Sequence, residues 1–233
     1  MSKQYLIVGG SSGIGLALTE QLLAENHAVW VMSRNEGGLT ALPNVIHIPV
    51  DVVADEIPTD ELPDHLDGVV YCPGSITLKP FRSLKPEQFR QDFELNVIGA
   101  VKVLQATQKL LKKSESGSVV LFSTVAVGQG MAFHASVAAA KGAIEGLTKS
   151  LAAEMAPKIR VNCIAPSLTD TPLAERLLSS PDKKEASDKR HPLKRVGQPE
   201  EIAALAAFLL SEKASWMSGQ ILGMDGGMST LRV

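Results

Sequence analysis

One stretch near the N-terminus, residues 5–34 (YLIVGGSSGIGLALTEQLLAENHAVWVMSR), most constrains what this chain can fold into. It is interpreted as a strand, a glycine loop, a helix and a second strand. The glycines Gly9, Gly13 and Gly15 have the spacing G-x-x-x-G-x-G and fall between the first strand and the helix. In that context they favour a loop that holds a dinucleotide's phosphates at the helix N-terminus. A glycine-rich turn without a ligand is the alternative.

The same alternation of strands and helices continues along the chain. Because the inner strands are continuous apolar runs, the pattern predicts a mostly parallel α/β sheet covered by helices on both faces, in a single domain over residues 1–233. Strands are predicted at 5–8, 28–32, 45–50, 68–71, 118–123, 159–165 and 220–224, and helices near 13–26, 86–113, 135–156, 173–180 and 199–211.

Two connections stand out from this pattern. Pro58 and Pro63 leave little room for a helix within 51–67, so a short or irregular connection is expected there. The charged, proline-bounded segment 179–192 is predicted to be a solvated surface loop. The alternative is a mobile lid over a substrate site, covering 172–192.

Composition excludes several classes of protein. The 233 residues include 45% hydrophobic and 21% charged residues, which is typical of a folded domain rather than a disordered chain. A net charge of −2 without a basic stripe argues against nucleic acid. The longest apolar run, 202–210, is too short to span a membrane, and no signal peptide core is visible, so a cytoplasmic location is expected. Cys72 and Cys163 form no CxxC pair, and no metal site is predicted.

The residues after the second strand bear on the type of dinucleotide. Ser33 and Arg34 stand there, and no carboxylate occurs within 31–34. A 2′-phosphate requires a cation and no carboxylate, so NADP(H) is predicted over NAD(H), a solvent-facing arginine being the alternative. Asp51 and Val52, after the third strand, are candidates to hold the adenine, although Asp51 could equally be a cap.

Several motifs resemble the short-chain dehydrogenase/reductase family over essentially the whole chain. They are VGGSSGIG (8–15), FELNVIGA (93–100), GSVVLFST (117–124), AAAKGAIEGLTKSLAAEMAPKIRVNCIAPSLTDTPL (138–173) and PLKRVGQPEEIAALAAFLLSEKASWMSGQILGMDGG (192–227). The resemblance implies one doubly wound Rossmann domain with a seven-stranded sheet. It also implies a nicotinamide cofactor used to interconvert alcohols and carbonyls of small molecules.

The resemblance assigns roles to individual residues. The phosphate loop and its neighbours in the cofactor site would be Gly9, Ser11, Ser12, Gly13, Ile14, Gly15 and Gly74. Asp51 and Val52 would flank the adenine, and Pro166 and Thr171 would lie near the carboxamide. Lys141 would bind the nicotinamide ribose, Asn96 would hold a water of the proton relay, and Thr124 would replace the serine that orients the substrate.

The main departure from the family pattern is Val137, which stands where the catalytic tyrosine is expected. The family's tyrosine passes a proton to the substrate oxygen, and valine cannot. His134, three residues earlier, is a candidate substitute, because a histidine can act as a general acid near neutral pH. Lys141 acting through the Asn96 water is a second candidate, and Tyr71 a third. Smaller departures are Val8, the YCPG at 71–74 and Ser167 after Pro166.

Two functions follow from this pattern. The first is an NADP(H)-dependent oxidoreductase that reduces a small carbonyl or an activated C=C bond with an altered proton relay. The second is a catalytically impaired cofactor-binding pseudoenzyme acting as a sensor or subunit. The small-residue face of the helix at 135–156 and the family pattern also predict a homotetramer or homodimer.

Overall fold

Seven parallel strands form one sheet with the order β3-β2-β1-β4-β5-β6-β7. The structure is a computed structural model that describes residues 2–232. The strands are β1 (Gln4–Val8), β2 (Ala28–Ser33), β3 (Val45–Pro49), β4 (Gly68–Tyr71), β5 (Gly117–Phe122), β6 (Ile159–Pro166) and β7 (Ile221–Met224). All seven predicted strands are therefore present, within one or two residues of the predicted ends. The doubly wound, seven-stranded Rossmann fold is confirmed.

Helices cover both faces of this sheet. They are α1 (Gly13–Ala24), α2 (Pro86–Phe93), α3 (Gly99–Leu111), α4 (Ala126–Gln129), α5 (Ala135–Met155), α6 (Pro181–Arg190) and α7 (Pro199–Leu210). One apolar core lies between the sheet and α3 and α5, and a second lies between the sheet and α1 and α7. Burial of both faces explains why the inner strands are continuous apolar runs.

The strand order reverses direction next to β1, and this places the site. The chain proceeds from β1 through β2 to β3 on one side, and then returns to build β4 to β7 on the other. In open α/β sheets, ligands bind at the carboxyl ends of the strands at such a switch point. The glycine loop after β1 and the YCPG segment after β4 meet there.

The predicted helix at 86–113 is present but is not a regular α-helix throughout. A π-helical turn, Glu94–Ile98, joins α2 to α3 and contains Asn96. Periodicity could not show this turn, because one wider turn leaves the apolar pattern on either side nearly unchanged. The prediction of a helix at 173–180 is wrong, since the structure has a 3-10 helix at Pro172–Leu177. The short helix α4 was not predicted.

The prediction of a loop over 179–192 is also wrong, because most of the segment forms α6. The Oγ of Ser180, at the N-cap, accepts a hydrogen bond from the backbone N–H of Lys183 (3.3 Å), and Pro181 opens the first turn. Two ion pairs at i,i+4, Lys184 with Asp188 and Lys189 with Glu185, support the helix along its length. Local interactions rather than an apolar face hold α6, which is why its sequence resembles a loop.

The expected irregular connection at 51–67 is confirmed, since its only helical turn is the 3-10 turn Thr59–Glu61. Across residues 2–232, no helix combines the length and the hydropathy needed to cross a membrane.

Candidate active site

A long cleft of about 730 Å³ opens at the carboxyl ends of β1 to β4. Clefts of this size are typical of sites for cofactors and other small ligands. Most of the residues predicted to bind the cofactor line it. They are Gly9, Ser11, Ser12, Gly13, Ile14, Gly15, Ser33, Arg34, Asp51, Val52, Gly74 and Thr171.

The glycine loop at the centre of the cleft requires glycine for steric reasons. Gly9 and Gly13 have φ values of +76° and +53°, which residues with side chains rarely adopt. A Cβ on Gly15 would lie 2.2 Å from the Gly9 carbonyl oxygen, so α1 can approach the loop only with glycine there. The side chain of Ser12, at the N-cap of α1, makes no capping hydrogen bond. This arrangement suits phosphate groups at the N-terminus of the helix.

The residues used to predict NADP(H) rather than NAD(H) also line the cleft. The exposed Arg34 lines the cleft next to Ser33, whose hydroxyl donates to the Asn35 carbonyl (2.8 Å) and lies 2.9 Å from His47 Nε2. An Asp51 carboxylate oxygen accepts a hydrogen bond from the Val53 N–H (2.9 Å). Asp51 thus lines the cleft and also caps a turn, so both of its expected roles are compatible with the geometry.

A second cavity, of about 250 Å³, adjoins the cleft. The two share the wall residues Ile14, Cys72, Gly74, Thr171 and Leu173. Thr124, His134, Val137, Lys141 and Pro166 line the second cavity, so it brings together the residues predicted to contact substrate and nicotinamide. Most of the remaining lining is apolar, and in the described part of the chain it includes no aspartate or glutamate. We refer to it as the substrate cavity.

Lys141, on α5, is a charged residue that lines the substrate cavity. Its side chain is largely buried, with 7% exposed, and burial lowers its pKa to about 8, with smaller opposing effects from Cys163 and Cys72. A Cβ placed on Gly74 would lie 3.4 Å from Lys141 Nζ and 3.4 Å from Asn96 Oδ1. The ammonium group and the amide oxygen therefore approach the same point of the backbone.

Asn96 does not line either cavity directly, and the π-helical turn fixes its orientation. Its Nδ2 donates to the Asp92 carbonyl (2.7 Å) and to Ser75 Oγ (3.0 Å). Its Oδ1 is buried and has no hydrogen-bond partner within residues 2–232. A buried amide oxygen without a partner is costly unless something donates to it. A water molecule, as the family resemblance implies, would satisfy it.

Sequence reasoning missed a buried carboxylate beside this group. Asp92 is 2% exposed, and its Oδ1 accepts hydrogen bonds from Ser75 Oγ (2.6 Å) and Thr77 Oγ1 (3.1 Å). Its Oδ2 has no hydrogen-bond partner in the described residues. The signal was present in the sequence, because Asp92 lies four residues before Asn96 and would share its face of a helix.

The tyrosines of the chain do not reach the substrate cavity. Tyr71 donates its hydroxyl to the Leu95 carbonyl (2.6 Å), and burial raises its pKa. Tyr5 packs edge-on against His27, far from the carboxyl ends of the strands. Tyr71 as a displaced proton donor therefore finds no support in this geometry. Val137 is 5% exposed and presents an apolar side chain to the cavity, one helical turn from Lys141.

Two other polar groups at the cavity have defined partners. His134, at the N-cap of α5, holds its Nδ1 2.7 Å from the Ala132 carbonyl oxygen, so Nδ1 carries the hydrogen. Thr124 Oγ1 accepts a hydrogen bond from the Ala126 N–H (3.3 Å), which leaves its own hydrogen available to a ligand. Ser136, by contrast, is buried and lines neither cavity.

Neither cysteine is disulfide-bonded, and burial raises the pKa of each thiol to about 12, so both stay protonated at neutral pH. In the part of the chain described, no group of three or more His, Cys, Asp or Glu side chains is placed to hold a metal ion.

Comparison with known proteins places this site in a family. The family model described as enoyl-(acyl carrier protein) reductase matches residues 8–229, nearly the whole chain. The chain belongs to the short-chain dehydrogenase/reductase family. A tropinone reductase homolog from Arabidopsis thaliana is 33% identical to it, covering 97% of this chain and 92% of that protein.

Solved structures of the family superpose closely on this fold. A short-chain dehydrogenase family protein from Francisella tularensis has a TM-score of 0.90 and 28% identity, covering 99% of this chain and 100% of that one. An actinorhodin polyketide ketoreductase variant solved with NADPH has a TM-score of 0.90 and 25% identity, covering 99% and 98%. The chain is thus an oxidoreductase of the short-chain dehydrogenase/reductase type with a Rossmann NAD(P)-binding fold.

Proposed function

We propose that this protein is an NADP(H)-dependent oxidoreductase that reduces a small carbonyl or an activated C=C bond with an altered proton relay. The observation that carries the proposal is the substrate cavity itself. It keeps Lys141 and Thr124, with Asn96 behind them, yet presents the apolar Val137 one helical turn from the lysine. A site for binding alone would not need these three polar residues.

The residues of the cleft fit a nicotinamide dinucleotide. The glycine loop leaves space where side chains would collide with Pro73 or Thr171, and the N-terminus of α1 faces the same space. When bound, the dinucleotide supplies or accepts the hydride. Lys141 would bind the ribose hydroxyls, and Pro166 and Thr171 would lie beside the carboxamide. The amide oxygen of Asn96 would hold a water molecule next to the lysine.

Proton transfer is the step for which this chain must differ from the family pattern. Thr124 keeps a hydroxyl that can hold the substrate oxygen in place, but Val137 cannot exchange a proton. With Tyr71 bonded to the Leu95 carbonyl, two of the three predicted substitutes remain, His134 and a water held between Lys141 and Asn96. With its pKa lowered to about 8, Lys141 can exchange protons near neutral pH.

The substrate is expected to be small and largely apolar. The cavity has a volume of about 250 Å³, and apolar side chains make up most of its lining. Leu173, Leu177 and Arg190 contribute to its outer wall from the segment 172–192. We therefore retain this segment as the lid, now consisting of a 3-10 helix followed by α6. Its movement would admit the substrate and then exclude water.

Preference for NADP(H) rests on Arg34. Its guanidinium lies at the cleft, exposed, with no hydrogen-bond or ion-pair partner inside residues 2–232, and is thus available to a 2′-phosphate. An arginine pairs strongly with phosphate oxygens. The NADPH in the structure of the related polyketide ketoreductase agrees with this preference.

Titration of the purified protein with NADPH and NADH, followed by fluorescence, tests the cofactor. Arg34→Ala should weaken NADPH binding about 10-fold or more while leaving NADH unchanged, because only NADPH carries the extra phosphate. Arg90→Ala is the matched control: Arg90 also lines the cleft but is already paired with Glu87. Equal or tighter binding of NADH by the unaltered protein would overturn the NADP(H) preference.

A cofactor-binding pseudoenzyme is the second candidate. The observation that favours it is also Val137, together with the engagement of Tyr71 with Leu95, because no phenol then reaches the cavity. Under this proposal the protein binds NADPH tightly but turns over no carbonyl or enone. Detectable turnover that is lost in Lys141→Ala would exclude it.

A further inference from the structure

A serine and a histidine that the proton relay described above does not use form a hydrogen-bonded pair in the wall of the substrate cavity. Ser167 follows β6 directly, where the family pattern has glycine, and His191 follows α6. Ser167 Oγ lies 2.8 Å from His191 Nε2. Both residues line the substrate cavity together with Thr124, Val137 and Lys141.

The hydrogen atoms of this pair can be assigned from its partners. His191 Nδ1 lies 2.8 Å from the Ser187 carbonyl oxygen, which can only accept, so Nδ1 carries a hydrogen. In the neutral imidazole, Nε2 therefore has a free lone pair and accepts from the Ser167 hydroxyl. Met228 Sδ is 3.1 Å from the same hydroxyl, but sulfur is the weaker acceptor. The Ser187 carbonyl therefore orients the imidazole, as a third group does where a histidine activates a catalytic hydroxyl.

His191 also borders a second, smaller cavity. His191 is only 2% exposed, yet it lines both the substrate cavity and a smaller cavity of about 150 Å³ on its other side. The smaller cavity is also lined by Arg195, Glu201 and Asp225. These polar groups could exchange protons with the imidazole through the smaller cavity.

We propose that the Ser167 hydroxyl exchanges the proton with the substrate oxygen that the family's tyrosine otherwise exchanges, and that His191 acts through it. The inference rests on the oxidoreductase function proposed above. In reduction, the bound dinucleotide would supply a hydride to the carbonyl carbon, and the carbonyl oxygen would take the Ser167 hydroxyl proton. Ser167 Oγ then takes the Nε2 proton of the His191 imidazolium, which leaves neutral imidazole. Alcohol oxidation is the reverse of these transfers.

The charged groups around His191 come from several elements. Asp188 and Arg190 belong to α6 itself, Arg195, Glu201 and Asp225 lie around the smaller cavity, and Lys141 faces the substrate cavity from α5. The imidazole therefore lies between charged groups of both signs.

The test measures NADPH-dependent reduction of acetoacetyl-N-acetylcysteamine by the full chain at pH 7. Ser167→Ala should lower kcat about 100-fold, within the usual contribution of a placed acid, without changing the NADPH Kd. Ser167→Thr, which keeps a hydroxyl, should recover most of the rate. His191→Gln should also lower kcat and leave the NADPH Kd unchanged, because it removes the group that returns the proton to Ser167. Ser179→Ala, an exposed serine in the same wall segment, serves as the control.

Val137→Tyr separates this inference from the function on which it rests. In the Ser167→Ala background, Val137→Tyr should restore turnover, because it supplies a phenol beside Lys141. If the unaltered chain is active and Ser167→Ala keeps its rate, Ser167 is not the donor. If the unaltered chain is inert and Val137→Tyr is active, Ser167–His191 is likewise not a donor, but the oxidoreductase scaffold stands. If neither turns over the thioester, the proposed function fails together with the inference.

Discussion

At the scale of single residues, the burial of Lys141 at the cavity lowers the stability of the fold. Its pKa is lowered from 10.5 to about 8, chiefly because burial disfavours the charged ammonium. One pKa unit corresponds to about 1.4 kcal/mol, so the shift represents roughly 3 kcal/mol of lost stability below pH 8. A fold that retains such a residue at its cavity gives up stability for a positioned cation.

The first prediction concerns the pH dependence of this cost. Between pH 8 and pH 10.5 the unfolded chain binds the Lys141 proton and the folded chain does not, so the residue's unfavourable contribution disappears as the pH rises. Lys141→Met should therefore be more stable than the unaltered protein at pH 7, by up to roughly 3 kcal/mol. The difference should narrow at pH 10.

Urea unfolding of the cofactor-free protein at pH 7 and pH 10 checks this. Lys149→Met, an exposed lysine on the same helix, is the control and should shift stability little at either pH. If Lys141→Met is less stable than the unaltered protein at pH 7, the buried Lys141 ammonium has compensating partners and does not destabilise the fold.

The second prediction concerns the glycine loop. A Cβ at Gly15 would lie 2.2 Å from the Gly9 carbonyl oxygen, so Gly15→Ala must push α1 away from the loop. NADPH affinity should fall at least about 10-fold, because the phosphate site depends on that close approach. Gly128→Ala, where a Cβ would meet nothing within 4 Å, should bind NADPH normally. Unchanged affinity in Gly15→Ala, measured by the same fluorescence titration, would contradict the assignment of the loop.

Some residues of the site could be predicted from the sequence, and others could not. Gly9, Gly13 and Gly15 stand in a local pattern whose geometry follows from the spacing, and Lys141 could be assigned through the family resemblance. The Ser167–His191 pair could not be found in this way, because 24 residues separate its members and the end of α6 brings them together.

At the scale of elements, the connection between α2 and α3 shows why periodicity is insufficient. The apolar pattern over 86–113 predicts one helix, and the chain does remain helical. The π-helical turn Glu94–Ile98 nevertheless reorients Asn96, whose Nδ2 bonds to the Asp92 carbonyl. Such turns often occur at functional sites. Here the turn holds an amide oxygen beside Gly74, which Lys141 Nζ also approaches.

The segment 172–192 supplies the third prediction. Several of its residues line the substrate cavity, among them Leu173, Leu177 and Arg190. Its helix α6 is mostly exposed and held by local pairs rather than by an apolar face. Elements with few buried apolar contacts open readily. Backbone hydrogen exchange across 172–192 should therefore be fast in the free protein and slow markedly with saturating NADPH.

Hydrogen exchange read by mass spectrometry checks this prediction, with α7 as the internal control. The buried face of α7 includes Ile202, Ala206 and Leu209, so its exchange should already be slow and should change little with NADPH. Equal exchange of 172–192 with and without NADPH would mean that the segment is a fixed wall and not a lid.

At the scale of the whole molecule, the alternation of strands and helices was sufficient to predict the sheet. Each inner strand is buried on both faces, so its apolar run is continuous and easily distinguished from the helices. The segment 179–192 was misassigned because α6 buries almost nothing, and hydrophobic periodicity reports only burial. The sequence therefore predicted the elements of the two cores better than those at the cavity rim.

The fourth prediction is that two or four copies of the chain associate through α5. Ala143, Leu147 and Leu151 recur every four residues along α5 and are only partly buried, and a Cβ at the neighbouring Gly146 would meet nothing within 4 Å. Partners can approach closely along such a face. Light scattering should give a mass of two or four chains of 24.8 kDa, and Leu147→Glu should lower it. A monomer at micromolar concentration would contradict the prediction.

We propose that the site is an oxidoreductase scaffold without the family's usual proton donor at residue 137. Val137→Tyr tests it most directly, since a phenol at that position would lie in the cavity beside Thr124 and one turn from Lys141. We expect kcat for NADPH-dependent reduction of tropinone or acetoacetyl-N-acetylcysteamine to rise at least ~10-fold over the unaltered protein. Ala139→Tyr, on the exposed face of α5, should have no effect. A Val137→Tyr protein that folds, binds NADPH and remains inert on both ketones would contradict the claim.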